Sequence, residues 1–325
     1  MQQRDEYSVP ENLKVEYLYT QRRVKLYKTS TRKAHAEKLT TLLASLAPNN
    51  GKFDLVLSNL DECSYIVSGC DLPNVYYIVH NAIGLTLKRA LKMGPIKYLR
   101  QRKLFKSLQG KDVIAVSKGL ANELRSIRLF RPRKTLQIYN PFDIEAVKTS
   151  AALTLDKQPE QRFILHVGRF AKQKRHDVLL HMLKMLPSDI QLVCLCTNAA
   201  KLRKLAIKVG VSERVILPGF TDNPYNWMAA SECLVLTSEF EGFGNVLIEA
   251  LLSGTRVVSA NCDYGPNEIL VDSNAQYLVN SGDAKDFAEK VQLALARDKA
   301  TFASDHIYRF EAQVVAKQYL ELVER

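Results

Sequence analysis

The chain has 325 residues, 46% hydrophobic and 25% charged, which is an ordinary globular composition of a length that suits two domains better than one core. Its formal charge of +12 is unevenly spread: residues 1–150 hold 26 Lys and Arg against 13 Asp and Glu, a net of +13, and residues 151–325 carry −1. Disordered and fibrous classes are therefore excluded, and the basic half asks for an anionic partner, either nucleic acid or the anionic face of a membrane.

In chain order, Lys14–Tyr19 reads as a first strand and Arg32–Leu46 as an amphipathic helix, with Ala34, Leu39, Leu42, Leu43 and Leu46 apolar. Strands are expected at Phe53–Ser58, at Val75–His80 and at Lys111–Ser117, the last followed by a helix from about Lys118 to Arg128. Between them, Gly84 to Lys106 holds Lys88, Arg89, Lys92, Lys97, Arg100, Arg102, Lys103 and Lys106 with no acidic residue. Interleaved leucines make it a basic amphipathic element, broken by Gly94-Pro95 into two helices. A solvated helical face, a membrane-docking surface and a nucleic-acid surface all fit that pattern.

Pro132, Pro141 and the polar run Lys148–Gln161 mark a linker, which gives expected domains of 1–150 and 151–325. The second half alternates more regularly. Strands are expected at 162–167, 190–196, 213–217, 232–236, 255–259 and 276–279, and closing helices near Ala284–Arg297 and Phe310–Val323. Such alternation means parallel sheets with right-handed crossovers, an α/β fold.

The six cysteines include no C-x-x-C pair and read as buried hydrophobes in a reducing compartment. The first residues lack a signal-peptide core, and no apolar run reaches membrane-span length. The expected location is cytoplasmic, soluble or peripheral on the inner face of the cell membrane.

Polar groups without a structural purpose cluster in Ser238–Gly254. Cys233-Leu234-Val235-Leu236 is a buried strand, Asn245–Ser253 has helical period, and Thr255–Ser259 is a strand again. The loop after the first of these strands carries Glu241 and two glycines, and Glu249 lies about one turn into the helix. Open α/β sheets bind ligands at that edge, so a diphosphate resting near Gly244 and Asn245 leaves the two carboxylates for neutral hydroxyls. A second loop, Gly168-Arg169 to Lys174, follows the strand at Phe163–Val167 and offers two cations to a diphosphate, Arg169 as a planar fork and Lys174 as a point charge. Together the two loops suggest a nucleotide-sugar site.

Gly168-Arg169 with Lys174, then Pro218-Gly219-Phe220, then Glu241-Gly242-Phe243-Gly244 with Glu249, resemble in order and spacing the GT-B retaining glycosyltransferases of family four, with the E-x7-E signature intact. Gly265–Leu270, Val113–Leu120 and Ile138–Pro141 are similar to further segments of that family. The resemblance implies two Rossmann-like domains facing a cleft, the C-terminal helix being a candidate to cross back. It implies a metal-independent, configuration-retaining transfer of a hexose or N-acetylhexosamine from a nucleotide sugar, UDP-linked first of all, to a glycan or lipid-linked acceptor in cell-surface polysaccharide synthesis. Arg169 and Lys174 would stabilise the departing diphosphate. Glu249 would take ribose hydroxyls, Glu241 hydroxyls of the transferred sugar, and amides of Phe243, Gly244, Asn245 and Val246 phosphate or sugar. The segment after Gly219, beginning with Phe220, would border the base, and His80 looks like the family histidine that faces the reacting sugar. No cofactor and no metal ligand are implied; the anionic membrane surface would be met through Lys88–Lys106. Glu239 and Glu268 lie near the site without a role that spacing assigns, Tyr264 and Asn267 are candidates to touch the donor, and His166, His176 and His181 read as structural.

The departure from the family lies at the start. The first glycine is Gly51, so the first domain is expected to lack its opening βαβ unit. A nucleotide-sugar epimerase of the same fold, and a non-enzymatic protein binding nucleic acid or membrane, stand as alternatives.

Overall fold

The computed structural model describes residues 12–19, 29–47, 52–156, 158–280, 282–303 and 305–323. The chain divides into two compact units. The first comprises Met1–Val116, Ala121–Gln137 and Leu320–Arg325, the second Ser117–Leu120 and Ile138–Tyr319. The chain passes into the second unit after residue 137, between Pro132 and Pro141 and ahead of the polar run Lys148–Gln161, whose first residues, Lys148–Ala151, end a helix begun at Ile144.

The first unit runs α1 (Thr29–Leu46), β1 (Val56–Asn59), α2 (Asp61–Val67), β2 (Val75–Val79), α3 (Ile83–Lys92), α4 (Pro95–Lys106), β3 (Asp112–Ala115), α5 (Lys118–Ser126, its first turn counted with the second unit) and β4 (Lys134–Gln137). Its strands form one parallel sheet in the order β1-β2-β3-β4. Tyr76–Val79 and Val113–Ala115 are buried, as continuous apolar runs must be in a parallel sheet covered on both faces. Arg32 ties α1 to α2, donating from Nε to the Tyr65 carbonyl and from Nη2 to Ser68 Oγ, each at 2.8 Å. Asp61 and Glu62, at the start of α2, receive Gln101 and Arg100 of α4.

The strand expected at Lys14–Tyr19 is not formed. Its described residues have no regular structure, and the Tyr19 hydroxyl is bonded to His35 Nδ1 on α1. Among the described residues, no strand lies beside it to complete a ladder. The break at Gly94-Pro95 is where the sequence placed it, with Pro95 in the first turn of α4.

The second unit runs α6 (Ile144–Ala151), β5 (Phe163–Val167), α7 (His176–Met185), β6 (Gln191–Leu195), α8 (Ala199–Val209), β7 (Val215–Ile216), α9 (Pro224–Ala230), β8 (Cys233–Leu236), α10 (Asn245–Leu252), β9 (Arg256–Ala260), α11 (Pro266–Ile269), β10 (Leu278–Val279), α12 (Ala284–Leu295) and α13 (Ala312–Leu320). All six strands are parallel, in the order β10-β9-β8-β5-β6-β7. Two expected strands shrink to pairs of residues, 213–217 to β7 and 276–279 to β10, because 3₁₀ turns at Ser212–Arg214 and Asp272–Tyr277 use the preceding residues. The closing helix is likewise shortened at its start by a 3₁₀ turn over Asp305–Phe310.

The strand order carries the functional information. From β5 the chain moves to one side through β6 and β7, then returns to β5's other flank with β8, β9 and β10. The sheet therefore has its topological switch between β5 and β8, where the loops leaving two adjacent strands diverge and open a crevice at their carboxyl ends.

Candidate active site

The two loops that leave the switch point are the two singled out by their charges. They are laced together: the Glu239 amide donates to the Gln173 carbonyl (2.8 Å), Gln173 Nε2 to the Phe240 carbonyl (2.6 Å), and Thr237 Oγ1 to the Lys174 carbonyl (2.8 Å). Gln173 and Thr237 are buried, so the loop backbones are held by internal partners and not by water.

At their centre Lys174 Nζ donates to Glu241 Oε1 at 2.7 Å, with only 14% and 12% of the two side chains exposed. The structure thus joins directly two residues that the sequence had assigned to separate parts of a ligand. Gly168 makes the arrangement possible: a Cβ there would lie 3.2 Å from Lys174 Cε, so a larger residue would press the lysine stem aside. Arg169 is exposed at the end of β5. Among the described residues, no hydrogen bond or ion pair joins Arg169, Glu249 or Phe220 to this pair.

Beneath the pair lie His166 and His176, with ring centroids 4.9 Å apart. Burial pushes His166 down to about 3, and burial followed by the Lys174 charge pushes His176 down to about 4. Both are therefore neutral at physiological pH. His166 Nδ1 donates to the Val235 carbonyl at 2.9 Å, which leaves its Nε2 unprotonated. The local positive charge thus rests on Lys174.

Gly244 is buried at the N-cap of α10 with φ of +95°, and Asn245 is exposed, accepting at Oδ1 from Asn140 Nδ2 (2.8 Å). Val246 is half-buried in the same turn. Phe243 is 2% exposed, its ring packed on Tyr139 and Phe310 with centroids 5.1 and 5.2 Å away. Only its backbone can meet a ligand. Glu249, one turn further along α10, is half-buried, and desolvation raises its carboxyl to about 7. No ion pair or side-chain hydrogen bond answers it among the described residues. A carboxylate in that state gains from any ligand hydroxyl that donates to it. Gly219 follows β7 with φ of +93°, and the next residue, Phe220, is 74% exposed.

Glu268, for which spacing offered no role, is a structural hub. It accepts from the Lys118 amide (2.9 Å), the Gly119 amide (3.0 Å) and the Tyr139 hydroxyl (2.9 Å). Its own carbonyl receives Arg309 and His306. The partners of its carboxylate lie 129 to 150 residues away in the chain, so no local pattern could have shown it. Gly265, three residues earlier, is required sterically: a Cβ would fall 1.7 Å from the Phe243 carbonyl oxygen, at a φ of +96°. The Gly265–Leu270 loop and the Glu241 loop are therefore pressed into contact. Tyr264 is half-buried and Asn267 exposed on that loop, and Glu239 is exposed.

His80 belongs to the first unit and follows β2 directly. Its Nε2 meets Asn59 Oδ1, at the end of β1, at 2.9 Å, and burial lowers its pKa. It is held at the carboxyl edge of that unit's sheet.

Residues 152–305 match the family model described as glycosyl transferases group 1. The matched segment carries the Lys174–Glu241 pair and Glu249. Over 256 residues the chain is 29% identical to the N-acetylgalactosamine-N,N'-diacetylbacillosaminyl-diphospho-undecaprenol 4-alpha-N-acetylgalactosaminyltransferase of Campylobacter jejuni, covering 78% of this chain and 65% of that one. The chain spans 44% to 65% of the length of the first curated relatives that it matches.

Among solved structures, sucrose-phosphate synthase from Thermosynechococcus elongatus superposes with a TM-score of 0.74 at 19% identity, over 91% of this chain and 79% of that one. Anabaena Alr3699/HepE in complex with UDP and glucose gives 0.70 at 18% identity, over 92% and 83%. The fold around the matched segment is the expected GT-B type, α/β with two parallel, Rossmann-like sheets. Among the described residues, no helix is long and apolar enough to cross a membrane.

Proposed function

We propose that the protein is a glycosyltransferase that takes a hexose or N-acetylhexosamine from a nucleotide sugar, UDP-linked first of all, and passes it to a glycan or lipid-linked acceptor. The observation that carries this reading is the half-buried Lys174–Glu241 pair at the switch point, with the desolvated Glu249 carboxylate on the helix that follows the same loop.

In this reading the diphosphate lies against Arg169, Lys174 and the first turn of α10. As the bond from the sugar's anomeric carbon to the diphosphate breaks, negative charge grows on the phosphate oxygen. Lys174, held beside neutral histidines, and Arg169 at the end of β5 stabilise that charge more than they stabilise the ground state. Glu241 then orients the sugar through its hydroxyls while keeping Lys174 in place, Glu249 accepts from the ribose, and exposed Phe220 stacks on the base. The cations take the part a divalent metal plays in other transferases, and the anomeric configuration is retained. His80, implied by the resemblance, is the first unit's contribution to transfer.

The acceptor class is supported by the Campylobacter relative, whose name specifies a diphospho-undecaprenol-linked sugar, and the base by the UDP bound to the Anabaena structure. A thermal-shift panel of nucleoside diphosphates and their sugars tests the reading. UDP is expected to raise Tm and one UDP-sugar to raise it further. A flat response to every nucleotide would remove the donor site. Incubating that UDP-sugar without acceptor separates transfer from epimerisation, since a transferase leaves the donor sugar's configuration unchanged.

A further inference from the structure

The first unit holds a cavity of about 530 Å³ that the donor chemistry does not use. It is lined by Arg32 and Lys33 from α1, Tyr65 from α2, and Lys103, Lys106 and Ser107 at the end of α4, with no acidic side chain in the lining. The cations are already positioned. Arg32 is fixed by its bonds to Tyr65 and Ser68, and both Arg32 and Lys103 lie over the Tyr65 ring, at 4.4 and 5.2 Å. Glu37, one turn along α1, reaches Lys33 at 3.8 Å in an exposed pair, too weak to neutralise the cluster.

Topology sets this cavity apart from His80. Gly69 on its rim precedes β2, and Ser107 precedes β3, so the cavity sits at the amino-terminal edge of the sheet; His80 follows β2 at the carboxyl edge. Volume and charge suit a phosphate group with a polar substituent.

A second feature adjoins it. On α4, Ile96, Leu99, Lys103 and Lys106 are spaced three, four and three residues apart and share one face. Ile96 is 85% and Leu99 59% exposed; Leu91 and Met93, just before the break, are 58% and 60% exposed. Lys88, Lys92, Lys97 and Lys106 are exposed around them. One helix face thus passes from bare apolar side chains to a cation-lined cavity, the polarity of an amphiphile with an anionic head.

We propose that this face docks the protein on an anionic bilayer, with the phosphate of a lipid headgroup among Arg32, Lys33, Lys103 and Lys106, and with Leu91, Met93, Ile96 and Leu99 in the acyl boundary. The proposal does not depend on the donor reading, whose test is the nucleotide-induced shift in Tm.

Co-sedimentation of the full chain with phosphatidylcholine vesicles, and with vesicles that also contain phosphatidylglycerol, decides it. Binding is expected to the anionic vesicles only. Each lysine near an anionic surface is worth on the order of fivefold, so Lys103→Glu with Lys106→Glu should weaken binding at least tenfold. Ile96→Ser with Leu99→Ser should abolish the part that survives high salt. Lys201→Glu with Lys204→Glu, exposed on α8 of the second unit, should change it little. Circular dichroism and a thermal unfolding midpoint unchanged from wild type in every variant show that folding is intact. The proposal fails if the wild-type chain stays in the supernatant, if the α8 variant loses as much as the cavity variant, or if an oligonucleotide displaces the vesicles at equal charge. It also fails if inorganic pyrophosphate stabilises the chain through Lys103 and Lys106 while vesicles do not bind.

Discussion

At the carboxyl edge of the second sheet, Lys174 and Glu241 are 2.7 Å apart and almost closed to solvent, each charge answered by the other. Around the first unit's cavity, Lys103 and Lys106 face no acid and stand beside leucines left bare. The first arrangement suits a small ligand whose every polar group must be met, because short-range bonds in a dry site are strong and directional. The second suits a surface, where summed charge and apolar area matter and register does not. Salt separates the two: raising ionic strength should weaken vesicle binding steeply and nucleotide binding far less, since the shielded pair is screened less than exposed lysines.

Mutations at the donor side should break the comparison in descending order. Gly265→Ala places a Cβ inside the Phe243 carbonyl and should cost more than about 4 kcal/mol, measured by denaturant unfolding, because the loops cannot separate without unmaking the site. Glu241→Ala should lower transfer by roughly 10²- to 10³-fold with the fold retained by circular dichroism. Normal turnover by that variant would remove Glu241 from the mechanism.

Glu249→Gln should act in opposite directions on stability and binding. Its carboxyl titrates near 7 in the folded chain against an ordinary 4.5, so the folded state holds the proton more tightly. Stability contributed by the protonated acid is full below about 4.5 and is lost as pH rises toward 7. The glutamine should abolish that slope and raise stability near pH 8 by roughly 2 kcal/mol, the shift discounted for solvent access. UDP affinity should fall about tenfold in the same variant, as a charged acceptor is lost. Phe220→Ala is the mildest: with the ring 74% exposed, Tm should not move, while UDP should bind a few-fold more weakly.

Strands β2, β3, β5, β6, β8 and β9 were legible because their residues form continuous apolar runs. The α3–α4 pair was legible because Gly94-Pro95 interrupts a helical period. The Lys14–Tyr19 strand misled because alternation alone cannot supply a neighbour, and β7 and β10 were overestimated where local turns compete with the ladder. Within the candidate site, the two loops that carry Lys174 and Glu241 were legible by residue type and spacing, but the direct bond between those two side chains was not. The role of Glu268 was not, since its partners come from Lys118, Gly119 and Tyr139, far off in the chain.

The amino-acid sequence by itself determined the alternation of strands and helices, the two charged loops and the basic amphipathic run, since each is a matter of local period and composition. Only the tertiary structure decided that β8 returns to lie beside β5, that Lys174 and Glu241 therefore share one bond, and that Glu249 is left desolvated. It also decided that Lys103 and Lys106 close a cavity with Arg32, for these outcomes depend on which distant segments pack together, and neighbouring residues do not encode that.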